Sequence, residues 1–272
     1  MDNVRQYLRQ QTFPHIWCAG CGNGIVLYAI LSAIDKLGLD KDKVAMVSGI
    51  GCSSRAPGYV DFNTLHTTHG RALPFATGIK LAKPEMTVIV VTGDGDATAI
   101  GGNHLIHAAR RNLDLTVVLF NNSTYGMTSG QYSPTTPTGA FGTTAPYGNA
   151  EQPFDICNLA EAAGATYVAR GTTYHAKVLP NLIEKAISNK GFSLVEAITQ
   201  CPIYFGRMNK IGNSVEMMKW QKEHAVTKKQ AETMSPEELA DKFIIGELCH
   251  KTKPDYCELY DRIIEKAQAS IK

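Results

Sequence analysis
The 272-residue chain predicts an α/β fold, a mostly parallel sheet with helices on both faces. Two observations carry this. The runs TVIVVT at 87–92 and LTVVLF at 115–120 are apolar nearly throughout, as strands buried on both faces of a parallel sheet are. Between such runs lie segments with apolar residues at helical spacing, so helix and strand alternate along most of the chain. Folds of this kind bind ligands beyond the carboxyl ends of their strands, so the following loops are where function is sought.

In order along the chain, residues 25–37 predict a helix and 44–48 a short strand bounded by glycine. Residues 69–82 (HGRALPFATGIKLA) predict a second helix, leading into the strand at 87–92, and 100–111 a third, leading into 115–120. The alternation continues to a strand at 192–198. The stretch 124–149, rich in Gly, Thr, Ser and Pro, is too long for a simple connection, and such loops are usually functional or disordered. After Cys201 the composition shifts, which predicts one main domain over 1–211 and a charged helical tail over 212–272. No internal repeat or low-complexity tract is present.

Composition narrows the function classes. With 44% hydrophobic and 19% charged residues the chain suits a globular core. A formal charge of +2 offers no broad basic surface, so nucleic acid is not an expected partner. Apolar runs break off well before the roughly 20 residues that a bilayer span needs. Residues 1–14 carry charges and glutamines where a signal peptide requires an apolar segment, so we expect the cytoplasm and no membrane. In that compartment seven cysteines are better explained by metal ligation or burial than by disulfides.

Two motifs carry chemistry. GDGDA at 93–97 ends one predicted strand and Asn121-Asn122 ends the next, so both emerge on one edge of the sheet. Glycines let the backbone approach a phosphate closely, and Mg²⁺ takes a few side-chain oxygens together with phosphate, water or carbonyl oxygens. Asp94, Asn122 and a carbonyl just beyond it meet that demand. A dinucleotide fingerprint fails, because Thr98 stands at the third glycine position and no acid follows the next strand. Gly, Asp and Asn also dominate ordinary turns; their pairing at the ends of consecutive strands is what argues for a site.

The second motif is a cysteine set. Cys18 and Cys21 form C-x₂-C in a glycine-rich loop, and Cys52 and Cys201 each follow a predicted strand. Spacing alone suits a 4Fe-4S cluster or a structural zinc equally. Cys157, Cys249 and Cys257 read as buried, inert thiols.

GDG followed some tens of residues later by NN is similar to the motif shared by thiamine diphosphate enzymes. With CAGC at 18–21, GIGCSSR at 49–55, HGRA at 69–72 and NNSTYGMTSGQ at 121–131, the chain resembles the β subunit of the 2-oxoacid:ferredoxin oxidoreductases over roughly residues 14–210. It most resembles those that act on 2-oxoglutarate. The resemblance implies the thiamine diphosphate-binding fold, as a diphosphate-binding domain. It implies Mg²⁺ ligation by Asp94, Asn122 and the Thr124 carbonyl, and thiamine diphosphate contacts from Ile50, Gly51, Cys52 and Ser53, from His69, Gly95 and Asp96, and from Gly126 and Met127. It also favours the 4Fe-4S cluster over zinc for Cys18, Cys21, Cys52 and Cys201.

The implied activity is reversible oxidative decarboxylation of a 2-oxoacid, with electrons passing to ferredoxin and the acyl group to coenzyme A. Arg55, three residues beyond Cys52, is the candidate partner for the substrate carboxylate, and Arg71 is a weaker one. Ser129 stands where some broad-specificity relatives carry lysine, so the distal carboxylate of 2-oxoglutarate has no obvious partner in this chain. In thiamine enzymes a glutamate from a separate domain activates the aminopyrimidine. We expect that domain, and the coenzyme A contacts, in an α subunit of an (αβ)₂ assembly. Pyruvate or branched 2-oxoacids are alternative substrates. Non-oxidative thiamine chemistry and a zinc-stabilised binding subunit without redox activity are alternative classes.

Overall fold
The computed structural model describes residues 3–270. In chain order its regular elements begin with α1 (Asn23–Lys36), β1 (Val44–Ser48), β2 (Asn63–His66), α2 (Ala72–Ala82), β3 (Thr87–Gly93), α3 (Gly102–Arg110) and β4 (Thr116–Asn121). They continue with α4 (Ile156–Ala163), β5 (Tyr167–Thr172), α5 (Leu179–Ser188), β6 (Ser193–Ile198) and α6 (Ser214–His224). The last are β7 (Ala225–Thr227), α7 (Lys228–Ala231), α8 (Pro236–Leu239), β8 (Phe243–His250) and α9 (Tyr256–Ala269).

The strands form one sheet in the order β2-β1-β3-β4-β6-β5-β8-β7, parallel from β2 to β5. Alternation along β3 shows why these runs are strands. Val88 and Val90 point to one face, into a core with Leu73 and Ala76 of α2, Leu105 of α3 and Ile156 of α4. Ile89 and Val91 point to the other, against Ile30 and Ile34 of α1 and Ile183 of α5. Both faces are thus covered, and a central strand with no polar face is what a parallel sheet requires.

Topology positions the site. From β1 the chain passes outward to β2 and then returns across β1 to β3, so the strand order reverses between β1 and β3. Such a switch point opens a crevice at the carboxyl ends of the two strands, because their loops leave in opposite directions. The loop after β1 carries Ile50 to Ser53 and the turn after β3 carries Asp94 to Asp96.

Three boundaries differ from expectation for local reasons. Gly70 turns at φ +70°, so the second helix starts at Ala72 rather than 69. Residues Asp96–Ile100 wind as a wide π turn before α3 begins. The tail beyond 211 is not wholly helical, which corrects the expectation for 212–272: β8 pairs antiparallel with β5, Tyr167 opposite His250 and Arg170 opposite Gly246. A register shift at Val168/Ala169 and a left-handed Gly246 (φ +107°) interrupt that pairing, so β8 lacks the unbroken apolar run of the inner strands.

Candidate active site
All twelve residues expected at the thiamine diphosphate and magnesium site line one pocket of about 250 Å³ at the β1/β3 switch point. Ile50, Gly51, Cys52 and Ser53 come from the β1 loop, His69 from the turn before α2, and Asp94, Gly95 and Asp96 from the β3 turn. Asn122, Thr124, Gly126 and Met127 come from the segment after β4. Asp96 is 3% exposed, and its carboxylate is committed to the pocket wall. It accepts from the Gly70 N–H (2.7 Å), the Ile50 N–H (3.2 Å) and Thr92 Oγ1 (2.7 Å), and it lies 2.7 Å from His69 Nδ1. A Cβ on Gly49 would stand 2.2 Å from Asp96 Oδ2, which is why glycine opens this loop. Asp96 therefore ties the β1 loop and the His69 turn to the β3 turn.

Asp94 is 3% exposed and sits under the long loop. Ser133 Oγ and Thr135 Oγ1 donate to its Oδ2 at 2.5 and 2.7 Å, so the 124–149 segment is folded onto the site. Burial pushes the Asp94 carboxyl up to about 6, while those two hydroxyls and nearby backbone N–H groups hold it down. With both hydroxyls on one oxygen, the other is the one a cation can take. Asn122 Oδ1 accepts from the Thr124 N–H at 3.2 Å, and the Thr124 carbonyl accepts from Gly126 N–H at 3.1 Å, which fixes both oxygens in place. One carboxylate, one amide oxygen and one carbonyl match what magnesium draws from protein when phosphate supplies the rest.

The four cysteines expected as ligands line a second cavity of about 210 Å³ that shares Cys52, Asn122, Gly126 and Met127 with the first. Burial pushes the Cys21 thiol up to about 11 and the Cys52 thiol up to about 12, and in both the neighbouring cysteines raise it further. Burial also raises Cys201, against backbone N–H groups of Phe205, Tyr204 and Ile203 that pull it down. Trp17 Nε1 donates to the Cys52 carbonyl at 2.7 Å, pinning the shared residue. A Cβ on Gly126 would lie 3.3 Å from Cys52 Sγ, a tight contact, and 3.7 Å from Cys201 Sγ, so a side chain there would crowd the space beside the two thiols. Among the described residues, no three His, Cys, Asp or Glu side chains gather closely enough to hold a single metal ion.

Comparison with known proteins follows the same lines. Residues 49–197 match the family described as thiamine pyrophosphate enzyme, C-terminal TPP binding domain. The chain is 57% identical over 263 residues to 2-oxoglutarate synthase subunit KorB of Methanothermobacter marburgensis, covering 96% of this chain and 92% of that one. It is 52% identical over 269 residues to the subunit of the same name in Methanocaldococcus jannaschii, covering 99% and 100%. The chain belongs to the KorB family of 2-oxoglutarate synthase subunits. Among solved structures, it superposes with a TM-score of 0.88 on a 2-oxoglutarate:ferredoxin oxidoreductase from Magnetococcus marinus, at 34% identity, covering 98% of this chain and 92% of that one. That structure holds 2-oxoglutarate, coenzyme A and succinyl-CoA.

Two residues expected to meet a substrate carboxylate do not line the switch-point pocket of this KorB family member. Arg55 is exposed on the 3₁₀ helix Ser53–Tyr59 and lies outside the pocket lining. Arg71 does not line the pocket either; its guanidinium lies against the carbonyls of Gly70 and Ile100. Conversely, Asn23, Phe120, Tyr125 and Thr128 line the pocket without having been singled out. Tyr125 and Thr128 could have been found, since they lie inside the NNSTYGMTSGQ motif. Asn23 gave no signal beyond standing two residues after Cys21. Cys157, Cys249 and Cys257 are buried, and Cys157 donates its S–H to Glu196 Oε2 at 3.3 Å. Among the described residues no helix is long and apolar enough to cross a membrane.

Proposed function
We propose that this KorB chain is the β subunit of a cytoplasmic 2-oxoglutarate:ferredoxin oxidoreductase. With an α subunit it converts 2-oxoglutarate and coenzyme A to succinyl-CoA and CO₂, reversibly, with electrons leaving to ferredoxin. The observation that supports the reading is that the switch-point pocket and the four-cysteine cavity share Cys52, so that a cofactor in the one and a cluster in the other would lie side by side.

Thiamine diphosphate, when bound, supplies the carbanion stabilisation that lets a 2-oxoacid lose CO₂. For this chain the work is holding and excluding. Asp94, Asn122 and the Thr124 carbonyl hold magnesium, and Ser53 with the neighbouring backbone holds the diphosphate. Ile50 and Met127, 39% and 45% exposed, offer apolar surface at the pocket. Cys18, Cys21, Cys52 and Cys201 would hold a 4Fe-4S cluster, which would supply one-electron redox chemistry. The fit rests on the donors: four thiols line one cavity, and backbone N–H groups lower the pKa of one of them, Cys201, against the effect of burial. The α subunit supplies the activating glutamate, the coenzyme A contacts and the cations that meet the substrate carboxylates, in an (αβ)₂ assembly. The strand-bearing segment after 211 packs through β8 on the sheet's β5 edge, so we assign it to the same folded unit rather than to a separate tail.

Steady-state ferredoxin reduction by the purified αβ enzyme tests the substrate. We expect kcat/KM for 2-oxoglutarate to exceed that for pyruvate and for branched 2-oxoacids by about tenfold or more, the cost of leaving one carboxylate site unpaired. Equal or faster turnover of pyruvate would remove the 2-oxoglutarate assignment and keep the reaction class.

A further inference from the structure
Asn23 opens the first turn of α1, is 0% exposed and lines the switch-point pocket. Neither its Oδ1 nor its Nδ2 has a hydrogen-bond partner. A buried amide left without partners destabilises the fold that contains it, and such groups are few in native proteins. Its main chain, by contrast, is engaged: the Asn23 N–H is a hydrogen-bond donor to Cys21 and lowers that thiol's pKa against the larger effect of burial. Asn23 therefore lies between Cys21 and the switch-point pocket that it lines, with a side-chain amide that no other group of the chain holds.

A second orphan lies in the same lining. Ser53 Oγ is buried and unpartnered, and a Cβ on Gly93, the residue before Asp94, would stand 3.3 Å from it. Asn23 and Ser53 thus bring two neutral proton donors to the pocket from α1 and from the turn after β1. The amino end of α1 adds the positive end of a 14-residue helix. Neutral donors beside a helix N-terminus suit an anion, because they bind it without burying a second charge.

We infer that Asn23 is a positioning residue for the cofactor's diphosphate, with Nδ2 donating to a phosphate oxygen and Oδ1 accepting from a donor in the same bound set, such as a water on the cation. This rests on the reading of the pocket as the thiamine diphosphate site. A neutral amide is required here. A carboxylate would keep the shape and repel the phosphate; alanine would remove the donor and also the unsatisfied polar group.

The test uses the chain purified with its α subunit and stripped of thiamine diphosphate and magnesium. Calorimetric titration of thiamine diphosphate at fixed Mg²⁺ is expected to give a Kd about tenfold higher for Asn23→Ala, as for one hydrogen bond to a charged group, and higher still for Asn23→Asp. The stripped Asn23→Ala enzyme should melt no lower than the unsubstituted one, and its iron content should be unchanged, since the N–H on Cys21 is main chain. Equal Kd values in all three proteins would overturn the inference. So would a loss of affinity accompanied by a lower melting temperature of the stripped protein, which marks a packing role. Should the unsubstituted stripped enzyme bind no thiamine diphosphate at all, the assignment of the pocket itself falls, and the inference with it.

Discussion

Replacing Cys201 by serine is expected to strip the αβ enzyme of its iron-sulfur cluster and to cut ferredoxin reduction below about a hundredth, since loss of even outer-shell metal partners costs 10–100-fold. The reason is local. Cys201 precedes the π turn Pro202–Gly206, whose N–H groups converge on its sulfur, and it shares the cavity with Cys18, Cys21 and Cys52. Serine keeps the size and loses the thiolate. Thiamine diphosphate binding should persist, because Cys201 does not line that pocket. Iron analysis, visible absorbance and cofactor titration on the same preparation separate the two effects; unchanged iron would take Cys201 out of the ligand set.

The second large effect is at Asp94. Asp94→Ala is expected to weaken magnesium-dependent thiamine diphosphate binding by about 3 kcal/mol, roughly a hundredfold, because it removes the one carboxylate assigned to the cation. It also removes one acceptor from the buried hydroxyls of Ser133 and Thr135, but Thr135 Oγ1 still reaches Asn121 Oδ1 at 3.0 Å and Ser133 Oγ lies 3.4 Å from Thr136 Oγ1, so the cost to the stripped protein should stay at about 1 kcal/mol. Asp94→Asn keeps an oxygen for those hydroxyls and loses the charge, so it should lose affinity with little loss of stability. The pH dependence follows with two opposite signs. Burial places the Asp94 carboxyl near 6 in the folded protein, and magnesium needs the carboxylate, so affinity should fall as pH drops below about 6. The stripped protein should behave the other way. Its Asp94 binds a proton more tightly folded than unfolded, where the value is 3.8, so this group destabilises the fold increasingly as pH rises from about 4 to about 6. Isothermal titration and thermal melts across that range check both trends.

The central sheet could be read from the sequence because β1, β3 and β4 are apolar on both faces along most of their length, as strands of a covered parallel sheet are. The pocket could be read because GDGD and NN end two neighbouring strands, so local sequence alone places Asp94 and Asn122 on one edge. Asn23 escaped because burial without a partner is a property of the fold; in the sequence it is only an asparagine at a helix start, where asparagines commonly cap. Arg55 stands out in the sequence by its place near Cys52 along the chain, and the 3₁₀ helix that carries it leaves it exposed, outside the pocket lining. β8 escaped because Gly246 breaks its run and its partner β5 lies some seventy residues earlier, a pairing that no local window contains.

The contact between the two cavities through Cys52 is tested most directly by electron paramagnetic resonance on the anaerobically purified αβ enzyme. Spectra would be taken before and after adding 2-oxoglutarate and coenzyme A. We predict that a reduced 4Fe-4S signal rises only when substrate is added, and that the unsubstituted chain carries the iron. A chain that holds zinc instead, or iron whose signal does not respond to substrate, would contradict an electron path from the switch-point pocket to the four cysteines.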